Sequence, residues 1–157
     1  MNVLLYLSFA VIFVYLIYII AKYGIQYSIS ETYYTIGKKW WFTLIIWGWI
    51  FPLIIAGLEI TDSPCIFLGG SAIVFVGAAP AFKLKKSLER AVHMICSYLG
   101  VGFVILSVMF DFNHIIIGFV CTLLILLLMT EVIRIKNRIW WIEITAYLLI
   151  FLEILLK

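Results

Sequence analysis

Apolar residues in this chain fall into six blocks, at about 3–21, 40–58, 65–82, 91–110, 114–130 and 139–156, separated by short polar gaps. A hydrocarbon layer of about 30 Å needs about 20 helical residues at 1.5 Å each, so each block is long enough for one crossing. Strands of a membrane barrel would run for about ten residues with alternating polarity, which these blocks do not show. The pattern therefore predicts an all-α, polytopic integral membrane protein: one domain over 1–157, built as a bundle of six transmembrane helices. Met1 to Ile20 lacks the basic start and small-residue cleavage pattern of a signal peptide, and is read as a retained first span.

The gaps carry the orientation. Of 11 Lys and Arg residues, all but Lys157 lie in the first, third and fifth gaps or at their edges: Lys22, Lys38 and Lys39, then Lys83, Lys85, Lys86 and Arg90, then Arg134, Lys136 and Arg138. The second gap holds Glu59 and Asp62, and the fourth Asp111 and Asn113, with no basic residue in either. Cationic loops stay on the cytoplasmic side, so loops 1, 3 and 5 are expected in the cytoplasm and both termini outside. Trp40–Trp41 and Trp140–Trp141 stand where interfacial aromatic belts belong.

Composition agrees with this reading. The chain is 66% hydrophobic with a mean hydropathy of +1.21, whereas about half the residues of a soluble domain are apolar. The net charge of +3 and pI near 8.8 raise the question of nucleic acid. Loop orientation already accounts for the basic residues, so no nucleic-acid partner is expected. The expected partners are membrane lipids, with a homo-oligomer compatible with the pattern.

The longest gap, about Tyr23 to Lys39, has internal order. Ser28-Ile29-Ser30-Glu31 fits a capping box, in which hydroxyl and carboxylate each satisfy a free backbone N–H. It predicts a short helix over about 29–36 that Gly37 ends, lying at the interface or tucked into the bundle mouth.

Within the spans, polar residues form stripes. His93, Cys96, Ser97, Gly100, Val104, Ser107 and Asp111 share one helical face of the fourth span. Gly118, Cys121, Thr122, Ile125 and Met129 do so on the fifth, and Glu143, Ala146, Tyr147, Ile150 and Glu153 on the sixth. These faces are expected to meet inside. For the Cys, Ser, Gly and Thr members, close helix packing is sufficient reason, since small residues let transmembrane backbones approach. His93 and Glu143 differ, because an ionisable group inside a span is costly and marks a functional site by default. Both lie near the cytoplasmic start of their spans, either as a hydrogen-bonded tie between spans four and six or as part of a site. Glu153 and Glu131 are expected at the interface, and Asp111 with His114 in a solvated turn.

No metal or cofactor is called for. A catalytic metal needs about three convergent ligands, and the two histidines, His93 and His114, are a span apart, about 30 Å at 1.5 Å per residue. Cys65, Cys96 and Cys121 show no CxxC spacing and no disulfide framework.

The segment Gly24-Ile-Gln-Tyr-Ser-Ile-Ser-Glu-Thr-Tyr-Tyr34, with Trp41-Phe-Thr43, Gly77-Ala-Ala-Pro-Ala-Phe82 and Val92-His93, resembles uncharacterised six-span membrane proteins of Bacteroidetes and their mobile elements. More distantly, Ser28, Ser30, Glu31 and His93 are similar to positions of the Frag/DRAM-like superfamily, where a Ser-x-Ser-acidic segment follows the first span and a His opens a later one. That resemblance implies a lipid-related role.

The expected function is binding of a lipid or other amphiphile in a polar mouth on the cytoplasmic side, lined by Ser28, Ser30, Glu31, His93, Ser97 and Glu143. The first alternative is a lipid-headgroup hydrolase or transferase with His93 as general base, Glu143 orienting it and a serine as nucleophile. Catalysis is the weaker reading because no motif selects that serine. The second alternative is a small pore or transporter subunit, which the scarcity of charge within spans disfavours.

Overall fold

Seven helices make up the computed structural model among the residues it describes, 2–61, 63–78, 86–110, 115–130 and 135–156. They are α1 (Asn2–Tyr23), α2 (Thr32–Thr35), α3 (Lys39–Thr61), α4 (Pro64–Ala78), α5 (Lys86–Phe110), α6 (Ile115–Met129) and α7 (Arg138–Leu155). The fold is all-α, and each apolar block of the sequence holds one of the six long helices. Two stretches, Val3–Tyr23 and Lys39–Thr61, are long and apolar enough to cross a membrane. Pro64–Ala78, Ala91–Ser107 and Gly118–Met129 are apolar but shorter. The expected turn at Asp111 and His114, the interfacial Glu131, and residues 79–82 of the third block lie outside the described residues.

Local chemistry sets the helix ends. Gly24 adopts a φ of 73° after the last residue of α1 and returns its N–H to the Ile20 carbonyl at 3.0 Å, a left-handed stop that glycine accepts without penalty. Pro64 opens α4 at the position where a missing N–H costs nothing.

Successive long helices pack side by side, α1 on α3, α3 on α4 and α4 on α5, while α7 lies against α3, α5 and α6. The small residues of α4 serve this packing. A Cβ added at Gly70 would stand 2.3 Å from Cγ1 of Ile54 on α3, and one at Gly69 would stand 3.3 Å from the Gly100 carbonyl oxygen on α5. Close approach then allows polar ties: Thr43 Oγ1 donates to the Gly77 carbonyl at 2.9 Å, and Trp47 Nε1 to that of Val74 at 3.1 Å. The main core lies around α1, α3 and α7, with Ile19, Ile50, Leu53, Trp140 and Leu149 among its fully buried members.

Two expectations need correction. The short helix is Thr32–Thr35 rather than about 29–36, and residues 29–31 form the turn that leads into it, with the N–H groups of Thr32, Tyr33 and Tyr34 bonded to the Ile29, Ser30 and Glu31 carbonyls. Ile29, Tyr33 and Ile36 of this segment are buried in the core, as a segment tucked into the bundle requires, while Ile25, Tyr27 and Tyr34 are exposed. Glu153 is not an interfacial residue: it is 2% exposed and accepts a 2.7 Å hydrogen bond from Ser107 Oγ, which in turn bonds Ser63 Oγ at 3.0 Å. Hydroxyls on α5 and before α4 thus give one of its oxygens, Oε1, a polar setting inside the bundle.

A cavity closed by the first loop

The loop between α1 and α3 is stitched to the start of α7. The first N–H groups of any helix lack partners within it, and in α7 that of Trp140 donates to the Tyr27 carbonyl at 3.1 Å. Asn137, just before α7 with a φ of 58°, donates through Nδ2 to the Ile25 carbonyl at 2.7 Å. From the other side, the Tyr15 hydroxyl of α1 bonds Thr32 Oγ1, whose hydroxyl donates to the Ile29 carbonyl at 2.5 Å.

Glu143 completes the attachment. Its Oε2 accepts the Ile29 N–H at 2.5 Å and its Oε1 accepts Ser30 Oγ–H at 3.1 Å. Ser30 Oγ lies 3.0 Å from Ser28 Oγ, and Ser28 Oγ accepts the Glu31 N–H at 2.9 Å. Half of the expected capping box is therefore present. The other half is missing, since the Glu31 side chain makes no cap bond and stays exposed. A buried carboxylate is costly without such donors, and here a backbone N–H and a serine supply them.

Between this loop, α5, α6 and α7 lies a cavity of about 450 Å³, within the usual range for small-molecule sites of about 300–1,000 Å³. All six polar residues singled out from the sequence, Ser28, Ser30, Glu31, His93, Ser97 and Glu143, line it. They come from the first loop, α5 and α7, so the polar stripes do converge. From His93 to Ile105 the wall follows α5 for about 18 Å at 1.5 Å per residue. The six polar residues lie toward the His93 end, Val101, Gly102 and Ile105 continue the α5 wall as apolar surface, and Thr122 of α6 adds a further hydroxyl to the lining. Ile125 and Ile142 face the same space and pack with Leu128, Ile105 and Ile139 in a small separate core.

Several lining groups had no sequence signal of their own: Tyr98 lies beside the polar stripe rather than on it, and Tyr27 and Tyr34 belong to the first loop. Thr122 was legible as part of the α6 stripe, but not that its buried Oγ1 has no hydrogen-bond partner where it meets the cavity. Two further crevices, between α1 and α7 and between α1 and α3, are almost wholly apolar. Among the described residues, no group of three or more His, Cys, Asp or Glu is placed to hold a metal ion.

No protein-family model, curated protein or solved structure matches the chain.

Proposed function

We propose that the protein is a six-span bundle of the bacterial inner membrane, with both termini outside, that binds a lipid or other amphiphile in this cavity from the cytoplasmic side. One observation carries the reading: polar residues from three separate parts of the chain meet at one end of a cavity whose other end is apolar. An amphiphile has that same division, and hydrophobic walls with a few convergent polar groups are the usual make-up of small-molecule sites. Two helices long and apolar enough to span a membrane support membrane residence, and the alternation of basic loops supports the orientation.

A lipid-headgroup hydrolase or transferase is the second reading, favoured by the Ser28–Ser30–Glu143 chain of hydrogen bonds beside His93 in one cavity. It is the weaker of the two because Glu143 holds the Ile29 N–H and Ser30, a clamp on the loop rather than an activated nucleophile.

Mass spectrometry of lipid co-purified with the protein tests the proposal. A Cβ at Gly102 meets nothing within 4 Å, so Gly102→Leu starts its side chain in open space on the cavity wall. Loss of the bound lipid in Gly102→Leu, with an unchanged melting temperature, supports the reading. Equal lipid in both proteins counts against it.

A further inference from the structure

We infer that the ligand's headgroup is cationic, an amine or quaternary ammonium, received by Glu31 and the tyrosines at the cavity's lip. This deepens the amphiphile-binding reading and rests on it. Among the described residues, the formal charges lining the cavity are the carboxylates of Glu31 and Glu143, with no Lys or Arg. The chain as a whole carries a net charge of +3.

The two carboxylates are not equivalent. Glu143 is buried and engaged by the Ile29 N–H and Ser30. Glu31 is exposed, and its side chain makes no cap hydrogen bond. Its charge is therefore the one open to a ligand. Around it stand three exposed aromatic rings that also line the cavity: Tyr27, Tyr34 and Tyr98.

Aromatic faces attract cations within about 6 Å of the ring centroid, and most strongly cations that carry little hydration, such as quaternary ammonium. Tyrosines at this end of the molecule already do so internally. Lys39 Nζ lies 4.8 Å from the Tyr33 ring and 5.9 Å from the Tyr34 ring, and Lys22 Nζ lies 5.2 Å from that of Tyr23. An anionic headgroup beside Glu31 and the faces of Tyr27 and Tyr98 would meet negative charge, while Lys39 Nζ sits on the Tyr34 side. Deeper in along α5, Val101 and Ile105 offer an alkyl chain an apolar wall.

The test compares decyltrimethylammonium with decanoate, two probes of matched chain and opposite charge. Each is titrated below its micelle concentration into the full chain in a neutral glycoside detergent, followed by calorimetry. Decyltrimethylammonium is expected to bind more tightly by about tenfold or more. Glu31→Gln, at an exposed position that leaves the fold intact, should reduce that preference to within about threefold. Gly102→Leu should abolish binding of both probes. Equal or tighter binding of decanoate overturns the cationic headgroup while leaving amphiphile binding in place. A preference that survives Glu31→Gln unchanged overturns the role given to Glu31. Binding of neither probe removes the amphiphile reading and this inference with it.

Discussion

The backbone N–H of Ile29 and the Oε2 of Glu143 are 2.5 Å apart although 114 residues separate them in sequence. This contact joins the first loop to α7, and Ser30 Oγ doubles it on the other carboxylate oxygen. Glu143 is only 8% exposed, so its loss leaves a buried N–H with no acceptor.

Glu143→Leu is therefore expected to lower stability in detergent by about 2 kcal/mol, the cost of an unmet buried donor. It should also loosen the loop, speeding tryptic cleavage at Lys38 and Lys39. Glu143→Gln, which keeps one acceptor, should lie between wild type and Glu143→Leu in both measurements. Cleavage rates indistinguishable among the three proteins would mean that the loop is held elsewhere.

Ser28→Ala should cost about 1 kcal/mol, as loss of a cap to the Glu31 N–H. Asp is ordinarily as good a cap as Ser, but here Ser28 is buried and its oxygen also touches Ser30 Oγ, which donates to Glu143. Ser28→Asp would bring a second carboxylate into that chain, so it is expected to destabilise at least as much as Ser28→Ala. Thermal melts of the two variants decide it, and full rescue by Asp would reduce Ser28 to a simple cap.

Gly70→Ala tests the packing of α3 on α4. With the new Cβ 2.3 Å from Ile54 Cγ1, overpacking should destabilise by about 1–3 kcal/mol. Adding Ile54→Ala removes the clashing atom, so the double variant should be more stable than the sum of the two single effects. Strict additivity in the double-mutant cycle would show that the helices do not approach this closely.

How much of this was legible in advance follows from the kind of signal each feature leaves. The six long helices and the inward stripe on α5 were readable because apolar blocks and helical periodicity are side-chain patterns; Val104 and Ser107 are buried and Ile95, Tyr98 and Leu99 exposed, as that stripe requires. His93, Ser97 and Glu143 reach one cavity for the same reason, whereas Ser28, Ser30 and Glu31 are brought to it by the loop. The attachment of the first loop was not readable, since it depends on backbone groups, the N–H of Ile29 and Trp140 and the carbonyls of Ile25 and Tyr27. Glu153 was misread because its position near a span end suggested an interface, whereas its partner Ser107 lies 46 residues away on α5.

The orientation can be checked with single cysteines introduced as Lys85→Cys and Asn113→Cys in a background lacking Cys65, Cys96 and Cys121. An impermeant thiol reagent added to intact cells should label Asn113→Cys, and Lys85→Cys only after the membrane is opened. The reverse pattern would invert the topology and put the cavity's polar end outside.

Amphiphile binding is met most directly by a density map of the protein in a lipid bilayer, inspected between α5, α6 and α7. The expected result is an elongated density with its head beside Glu31 and His93 and its tail along Val101 and Ile105. A cavity closed by apolar side chains, or one filled only by separate waters, would contradict it.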